Sequence, residues 1–510
     1  MNIPPMRSVK EYRIQAVLLA AIVLTAALLS QRVYVRFDMT KQHTYSLSSY
    51  TRSILNSLEG TVTVTWFRSY NIEGYLPSLQ YVEDILAEYE RASDGRCLVL
   101  YRDTEELSPQ QLQQIGIVAR QIEQNSNNTQ ILQNLYSGLL CEYRGESRVI
   151  PFLSDIATLE ADIVRFIVEM KEDAQGRRND RAIYVALPDG STEGSYKYVL
   201  PWLEYAGFIP ILLTAPYPEL RPEIPLLVIG SAYFDAQMLT AVDTFVNKQG
   251  SAVFFVSANT ADVAGTWQVV PKRNDGLIEL LARYGFDLQA NLVTDPINFR
   301  MALPAADGSK YEYINYPFWI QVLRQYSDSI PPLLPAGRTV QFFWPSELVC
   351  TAARGKTPEP LFTSSSRSAL QHPPYNTDPH GMQLLSAAAD ERGEFPLAAF
   401  STGGVNGLNP MSNARLLVVA DEYCLSTAVE YTNSDTNLDV MVNAAYWITR
   451  KDALLQLKNK QPAVLPFRYF ESDAVFNRII TGIRILNLAV IPLAIVAAGI
   501  VLYSIRRKCP

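Results

Sequence analysis

The sequence predicts an α/β protein in which a doubly wound, mostly parallel sheet and a smaller α/β domain lie between two terminal transmembrane helices. Three observations support this fold class. Residues 182–187 form a continuous apolar run, typical of a strand covered on both faces, and helical patterns alternate with further strands after it. A long apolar segment lies near each end of the chain. The 510 residues are 48% hydrophobic and 19% charged, enough for two or three domains with buried cores.

The first apolar segment occupies residues 14–30 and follows Arg7, Lys10 and Arg13. It has the general form of a signal peptide, but the apolar run is long for one and no small-residue cleavage site closes it. The sequence therefore favours an uncleaved transmembrane helix over 14–35, with residues 1–13 in the cytoplasm.

The second apolar segment, 479–505, is followed by three consecutive cations at 506–508. Because positive charge favours the cytoplasmic side, both termini are predicted to be cytoplasmic, and the region between them extracytoplasmic, in a bacterial inner membrane. Arg484, Asn487 and Pro492 interrupt the apolar run, so this helix is expected to face protein rather than lipid. Residues 506–510 form the predicted cytoplasmic tail.

The first extracytoplasmic domain is predicted over residues 36–175. Alternating apolar residues predict strands, and a period near 3.6 residues predicts helices. In order, the expected elements are a helix capped by Ser48 or Ser49, a strand at 61–67, a helix at 76–91, a strand at 97–101, a helix start at 108–112, a loop at 121–130, a hairpin of 136–143 and 147–152, and a helix at 155–171.

The second extracytoplasmic domain is predicted over residues 176–455, with a sheet like that of class I amidotransferases. Its expected strands are 182–187, 208–213, 226–230, 251–256, 395–401 and 414–421, and its expected helices are 196–205, 235–246, 275–284 and 438–448. Residues 298–390 lack a clear period and contain many Pro, Ser and aromatic residues, so an elaborated insertion is expected there. Residues 456–478 are expected to link this domain to the second membrane helix.

Two groups of residues, one at each end of the predicted extracytoplasmic region, form a joint pattern. The first is Asp38-Met39-Thr40, Tyr45-Ser46-Leu47-Ser48 and Thr51, ahead of an alternating strand; the second is Asp421 at the end of a valine-rich strand, then an Asn-rich turn and a helix with Asn443 and Trp447. This arrangement resembles the GldG family of ABC transporter auxiliary components, first associated with gliding motility. Met39 replaces the usual Leu, and Ala420 replaces the Gly that often precedes the Asp.

The resemblance implies a non-catalytic subunit that works with a separate ABC ATPase and a separate permease. The two membrane helices would lie in the bilayer and pack on the permease. The extracytoplasmic region would bind a cargo or an envelope partner. The resemblance identifies neither the cargo nor the direction of transport, and members of the family need not take part in gliding.

An aromatic cluster supports a different function. Its members are close in sequence: Tyr311, Tyr313, Tyr316, Phe318 and Trp319. Flat rings could stack on a saccharide or a peptide, as in a stand-alone membrane-anchored receptor. The same residues could instead form a buried patch beneath the insertion, and this interpretation is favoured.

Motifs for catalysis, cofactors and metals are absent from the sequence. No H-E-x-x-H or G-x-S-x-G occurs, and the three histidines lack ligand spacing. Ser231 follows Gly230 at a strand end, where class I amidotransferase-like sheets carry a nucleophile, but no histidine is near in sequence, so a structural turn is favoured. Asp421 could hold a ligand at the carboxyl edge of the sheet or, as we favour, cap the following turn. We expect no enzymatic activity, cofactor or metal.

Charge and cysteine content limit the remaining classes of partner. The net charge is -7 and the extracytoplasmic region has no basic block, so nucleic acid is not an expected partner. Four cysteines, Cys97, Cys141, Cys350 and Cys424, could form disulfides in an oxidising compartment, but their spacing does not decide the matter.

Overall fold

The structure, a computed structural model, describes residues 46–460 and residue 481, apart from short internal gaps. The gaps are 71, 73–78, 127–128, 154–155, 189–193, 232–233, 264, 305–309, 336, 354–355, 380–390, 404–413 and 433. For residues 122–126, 129–132, 302–304 and 311–312 it describes the backbone alone.

The N-terminal part of the described chain is built on a four-stranded sheet. In chain order its elements are α1 (Ser49–Asn56), β1 (Val62–Arg68), α2 (Leu79–Ala92), β2 (Cys97–Asp103), α3 (Pro109–Ile115), β3 (Arg120–Ser126), β4 (Thr129–Leu135), β5 (Ser137–Tyr143), β6 (Glu146–Ile150) and α4 (Leu159–Ala174). The sheet order is β2–β1–β5–β6, with β1 parallel to β2 and antiparallel to β5. Because side chains alternate along a strand, Val62, Val64 and Trp66 share one core with the apolar faces of α2 and α4.

Strands β3 and β4 correct one local expectation. The Gln- and Asn-rich stretch 121–130 is predicted to be a loop, but it belongs to an antiparallel hairpin in which Arg120 pairs with Leu135. Within the described chain these two strands pair only with each other. The hairpin is therefore defined by backbone hydrogen bonds between its two strands. Because such bonds do not require alternating apolar side chains, the sequence shows no strand pattern there.

The C-terminal part of the described chain alternates strands and helices around a larger sheet. Its elements are β7 (Ala182–Ala186), α5 (Val199–Tyr205), β8 (Ile209–Leu212), β9 (Leu226–Ile229), α6 (Ala236–Asn247), β10 (Ala252–Phe255), β11 (Asn259–Ala261), β12 (Val269–Pro271), α7 (Gly276–Arg283), β13 (Phe286–Thr294), β14 (Asn298–Pro304), β15 (Tyr311–Val322), β16 (Val340–Phe343), β17 (Ser346–Cys350), β18 (Glu359–Thr363), β19 (Ser368–Gln371), β20 (Arg392–Gly393), β21 (Pro396–Thr402), β22 (Arg415–Val419), α8 (Val429–Thr432), α9 (Thr436–Ile448) and α10 (Asp452–Lys458).

The larger sheet has the order β18–β21–β22–β10–β9–β7–β8. The five strands from β22 to β8 are parallel, whereas β21 runs antiparallel to β22 and β18 antiparallel to β21. Alternate residues face different cores: Val185 and Val253 pack on one side, and Tyr184 and Phe254 on the other. Helices α5 and α9 cover the first side, and α6 and α7 cover the second. This double cover explains why the strands read as continuous apolar runs.

The region 298–390, expected to be an elaborated insertion, contains regular strands. Strands β14, β15 and β16 form one antiparallel sheet, and β17, β13, β19 and β20 form another. Aromatic and polar residues are mixed along β15, so the strand shows no clean period in the sequence.

One part of the predicted fold class is wrong. Among the described residues, no helix is long and apolar enough to cross a membrane. The longest of them, α4, has 16 residues, whereas a bilayer requires about 20 apolar residues. The two predicted transmembrane spans, 14–35 and 479–505, lie outside the described residues except for residue 481. The described fold is a mixed α/β fold, and the inner-membrane localisation, which depended on the spans, loses its support for the same reason.

The four cysteines at issue are free thiols in the structure. Cys97, Cys141 and Cys424 are buried, and Cys350 is half-buried. The alternative of disulfides among these residues is therefore not realised.

Candidate functional site

The carboxyl edge of the larger sheet contains a topological switch point. The chain passes from β7 to β8 on one side of β7 and returns to β9 on the other side. Open α/β sheets bind ligands outside the carboxyl ends of their strands at such a point. The residues that follow β7 and β9 therefore lie where such a fold places its ligand site.

Gly230 follows β9 at this point and has a φ of +68°, in the left-handed region that disfavours residues with a Cβ. A Cβ on Gly230 would lie 2.9 Å from Cγ of Pro188, which follows β7. It would also lie 3.7 Å from the carboxyl carbon of Glu422, which follows β22. Glycine thus allows the ends of three strands to approach one another and places Ser231 directly after the turn.

Four polar side chains meet beyond this turn, and we call them the edge cluster: Ser231, Lys272, Asp275 and Glu422. The Lys272 Nζ donates to Glu422 Oε2 at 2.7 Å and to Ser231 Oγ at 3.1 Å. The Ser231 hydroxyl donates to Asp275 Oδ2. The other Asp275 oxygen accepts two backbone N–H groups in the first turn of α7. The side chains of Lys272 and Glu422 are only 9% and 8% exposed.

This geometry does not activate Ser231 as a nucleophile. An activated serine gives its proton to an adjacent general base, and the group that accepts the Ser231 hydroxyl is the carboxylate of Asp275, a residue type that is ordinarily a weak base. Lys272 instead donates to the Ser231 oxygen, and its ammonium is paired with Glu422. Burial raises the pKa of the Glu422 carboxyl, an effect that the Lys272 ion pair opposes. The edge cluster is therefore a closed hydrogen-bond network that ties β9, α7 and the end of β22 together.

Asp421 lies at the same strand end but points away from the edge cluster. Its carboxylate is fully buried and accepts the backbone N–H groups of Phe343 at 2.6 Å, Tyr423 at 2.7 Å and Cys424 at 3.2 Å. Burial raises the pKa of this carboxyl, and the three N–H donors oppose the rise. Asp421 thus holds the end of β16 to the turn after β22, and its oxygens face the protein interior.

Asn443 and Trp447 lie on α9 and are buried. The Asn443 Nδ2 donates to the carbonyl of Leu333 at 2.7 Å. The Trp447 ring packs edge-on against Phe400, with centroids 5.9 Å apart, and beneath the Arg415 guanidinium. Both residues therefore fasten α9 to the surrounding chain.

The described part of the N-terminal motif meets the end of the described chain. Ser48 caps α1 by accepting the Thr51 N–H at 3.0 Å, and Leu47 is buried in the first core. The Glu160 carboxylate accepts the Ser48 N–H at 2.6 Å and the Thr51 hydroxyl at 2.8 Å. Lys460 donates to the other Glu160 oxygen at 2.9 Å and to the Ser46 carbonyl at 2.5 Å. A single buried glutamate thus joins residues 46–51 to residue 460.

The aromatic cluster is mostly interior. Tyr316, Phe318 and Trp319 are 0 to 1% exposed. The Tyr316 hydroxyl donates to the Thr377 carbonyl at 2.7 Å and accepts Trp344 Nε1 at 2.9 Å. Tyr313 is 67% exposed, and only the backbone of Tyr311, at the start of β15, is described. The three buried rings cannot stack on a ligand from solvent, so the five residues do not form one exposed platform.

The remaining residues singled out from the sequence lie outside the described residues. They are Asp38, Thr40 and Tyr45 of the N-terminal motif and Arg484, Asn487 and Pro492 of the second predicted span.

Sequence reasoning misses Lys272, Asp275, Glu422, Glu160 and Lys460. A carboxylate directly after a strand-end Asp is a usable signal for Glu422, since the carboxyl ends of parallel strands converge. No local pattern marks Glu160 or Lys460, because their partners lie about 110 and 300 residues away. Within the described part of the chain, no group of three or more His, Cys, Asp and Glu side chains could hold a metal ion.

Comparison with protein families gives two matches. A family described as an ABC-type uncharacterized transport system matches residues 182–444, which contain the larger sheet and most of α9. A domain of unknown function matches residues 41–142. An uncharacterized protein of Borreliella burgdorferi is 22% identical over 498 residues, covering 93% of this chain and 94% of its own length.

Two solved structures show weak likenesses. A ThuA-like protein from Bacteroides uniformis is 13% identical and covers 53% of this chain and 91% of its own, with a TM-score of 0.27. An exo-β-1,4-mannosidase from an Opitutaceae bacterium is 9% identical and covers 72% of this chain and 48% of its own, with a TM-score of 0.23. These scores are too low to infer a shared fold.

Proposed function

The chain belongs to the ABC-type uncharacterized transport system family, and we propose that it acts there as a non-catalytic auxiliary component that binds a separate permease. The observation that carries this proposal is the family match over residues 182–444, about half of the chain. The relationship to the Borreliella burgdorferi protein extends over nearly the whole of both chains, which favours a common role for the parts on either side of that match.

ATP hydrolysis in such a system would come from a partner. An ABC ATPase needs a glycine-rich loop ending in Gly-Lys-Ser or Gly-Lys-Thr, whose backbone amides cradle the phosphates. The sequence contains Gly355-Lys356-Thr357, but position 350 is Cys and not the first Gly of that pattern. The edge cluster is also internally paired. In the proposed system, other chains therefore act as the permease and the ATPase, and this chain has a binding role.

Within the family, we propose a GldG-like component on the basis of the N-terminal motif. In this proposal the described part of the motif anchors the start of the domain to Glu160 and Lys460. The motif residues concerned are Ser46, Leu47, Ser48 and Thr51. A cargo or an envelope partner remains part of the proposal. A receptor that uses the aromatic cluster is not proposed, because three of its five rings are buried.

Co-purification tests the proposal. The full chain carries an affinity tag, is extracted in mild detergent because a permease is a membrane protein, and is analysed by mass spectrometry. We expect an ATPase and a polytopic permease in a fixed ratio to the chain. An unrelated tagged protein, extracted in parallel, gives the background. Recovery of the chain alone after crosslinking, in several detergents, would refute the proposal.

A further inference from the structure

A cavity of about 490 Å³ lies among α4, α5, α9 and α10 and shares no lining residue with the edge cluster. Cavities of about 300–1,000 Å³ lined mainly by apolar and aromatic groups are typical of small-molecule sites. Here the apolar lining includes Ala161, Trp202, Val442 and Leu454. Helix α4 packs one face into the first core and, through Ala161 and Val164, another into the core that it shares with the other three helices, so the cavity lies where the two parts of the described chain pack together.

Aromatic rings form the walls of this cavity. Trp202 and Tyr205 come from α5, and Tyr446 comes from α9. The Tyr446 hydroxyl donates to the Ala206 carbonyl at 2.7 Å, and its ring is 3% exposed and packs against Phe208 with centroids 5.1 Å apart. Tyr446 therefore forms the buried base of the cavity, while Trp202 and Tyr205 offer the accessible ring surface. The Arg165 guanidinium lies 5.5 Å from the centre of the Tyr205 ring. The walls therefore favour a flat or branched apolar body.

Each charged group that lines the cavity has an oppositely charged partner in the lining, and Arg165 also donates to Glu169 at 2.8 Å outside it. Lys458 donates to Asp439 at 2.9 Å, Arg338 to Asp435 at 3.3 Å and Arg165 to Asp162 at 3.2 Å. Asp435 and Asp439 are four residues apart, about 6 Å along the axis of α9, so two of the pairs lie one above the other. Three cations and three carboxylates leave the lining neutral overall.

The pairing of cations with carboxylates in the lining favours a ligand that carries both a positive and a negative charge. A ligand with one charge would satisfy one member of a pair and leave the other without a partner in a partly desolvated site. The Lys458 and Asp439 side chains are only 19% and 25% exposed, so solvent compensates only in part. A zwitterion can engage both members of a pair at once, while its apolar body lies against the aromatic walls.

We propose that this cavity binds a small zwitterion with an apolar body, of the class of an apolar amino acid or dipeptide. The proposal concerns the chain by itself. It does not depend on the permease or the ATPase, so its failure and the failure of the transporter assignment are separate outcomes.

Tryptophan fluorescence can report binding to the cavity, because Trp202 lines it. This residue is the half-buried tryptophan among six, since the other five are at most 8% exposed. The dipeptide leucyl-leucine is titrated into the purified full chain while tryptophan emission and acrylamide quenching are recorded. We expect a saturable blue shift and reduced quenching. Both signals should vanish in Trp202→Phe, which removes the reporting fluorophore, and isothermal titration of the unsubstituted chain should give the same dissociation constant without relying on fluorescence.

Two comparisons test the role of charge. N-acetyl-leucyl-leucine amide, which has no charges, should bind about tenfold more weakly or worse, since each lost charge-assisted contact is worth roughly that factor. The double variant Lys458→Gln/Asp439→Asn keeps the net charge and should weaken leucyl-leucine binding by a similar factor. The matched control is Lys197→Gln/Glu430→Gln, which removes an exposed pair of 2.9 Å elsewhere and should leave binding unchanged.

Absence of a saturable Trp202 response to millimolar leucyl-leucine would overturn the proposal. Equal binding of the uncharged dipeptide, or equal weakening in both double variants, would show that the paired charges do not select the occupant. Thermal unfolding of both double variants checks that they remain folded.

Discussion

Replacing Glu160 by Gln tests whether one buried carboxylate joins residues 46–51 to residue 460. The Glu160 Oε1 accepts the Ser48 N–H and the Thr51 hydroxyl, and Oε2 accepts the Lys460 ammonium. A Gln side chain can keep the first two bonds through its amide oxygen. Its NH₂ group, however, would face the Lys460 ammonium, so the variant loses the ion pair and places two donors together.

The expected cost follows from the exposure of the two partners. Hydrogen bonds to charged groups contribute about 1.5–3 kcal/mol, and breaking a fully buried ion pair costs about 3–5 kcal/mol. The Glu160 side chain is 6% exposed and that of Lys460 is 18% exposed, so the ammonium can regain some hydration. We therefore expect Glu160→Gln to lower the free energy of unfolding by about 2 kcal/mol, toward the lower end of these ranges.

A double-mutant cycle measures the interaction. Chemical denaturation of the full chain is compared with that of Glu160→Gln, Lys460→Met and the double variant, and we expect a coupling energy of about 1–2 kcal/mol. The matched control is Glu83→Gln, because the Arg68–Glu83 pair is 31% and 37% exposed. This variant should stay within about 0.5 kcal/mol of the parent. A Glu160→Gln cost no larger than that of Glu83→Gln, or zero coupling, would refute the reasoning.

Three further predictions concern single sites. Gly230→Ala should lower the free energy of unfolding by about 1–2 kcal/mol or more, because it combines a left-handed φ with a close approach to Pro188; thermal unfolding tests this, and an unchanged midpoint contradicts it. Asp421→Asn should cost about 1–3 kcal/mol in chemical denaturation, since one amide oxygen cannot accept three N–H groups, and a neutral result contradicts the described contacts. Burial raises the pKa of Cys97 to about 12 and that of Cys350 to about 11, so both remain thiols at pH 8. Iodoacetamide should modify them slowly in the folded chain and rapidly in denaturant, and equal rates contradict this.

Local order in the larger sheet could be predicted from the sequence. Strands at 182–186, 226–229 and 252–255 are continuous apolar runs, and each lies within one or two residues of its predicted bounds. The reason is physical: a strand covered on both faces needs apolar residues at every position, which is a local property of the chain. Gly207 and Gly285, both with positive φ, likewise mark where helices end.

Long-range pairing could not be predicted in the same way. The hairpin β3–β4 and the strands β14 to β19 depend on partners and backbone hydrogen bonds that leave little periodicity. Loops after different strands bring the edge cluster together. Ser231 could be singled out from its position after Gly230 at a strand end, whereas no such local signal was used for Lys272 and Glu422. The predicted membrane spans rested on apolar length and flanking positive charge, both local properties of the sequence, and among the described residues no helix supplies such a span.

The ion pairs of the edge cluster and of the cavity differ in solvent exposure, and this difference favours different roles for the two sites. In the edge cluster, Lys272 and Glu422 are under 10% exposed and pair with each other, and Lys272 also donates to Ser231, so an incoming ligand would have to break a buried ion pair. In the cavity, Arg338 and Asp435 are 46% and 51% exposed, so their pairing is held weakly against water and can be exchanged at little cost. Lys458 and Asp439 are 19% and 25% exposed, so exchanging their partners costs more than at Arg338 and Asp435 but less than in the edge cluster. A binding component needs groups that can exchange partners. The cavity therefore fits a recognition role, and the edge cluster fits a role in holding the sheet together.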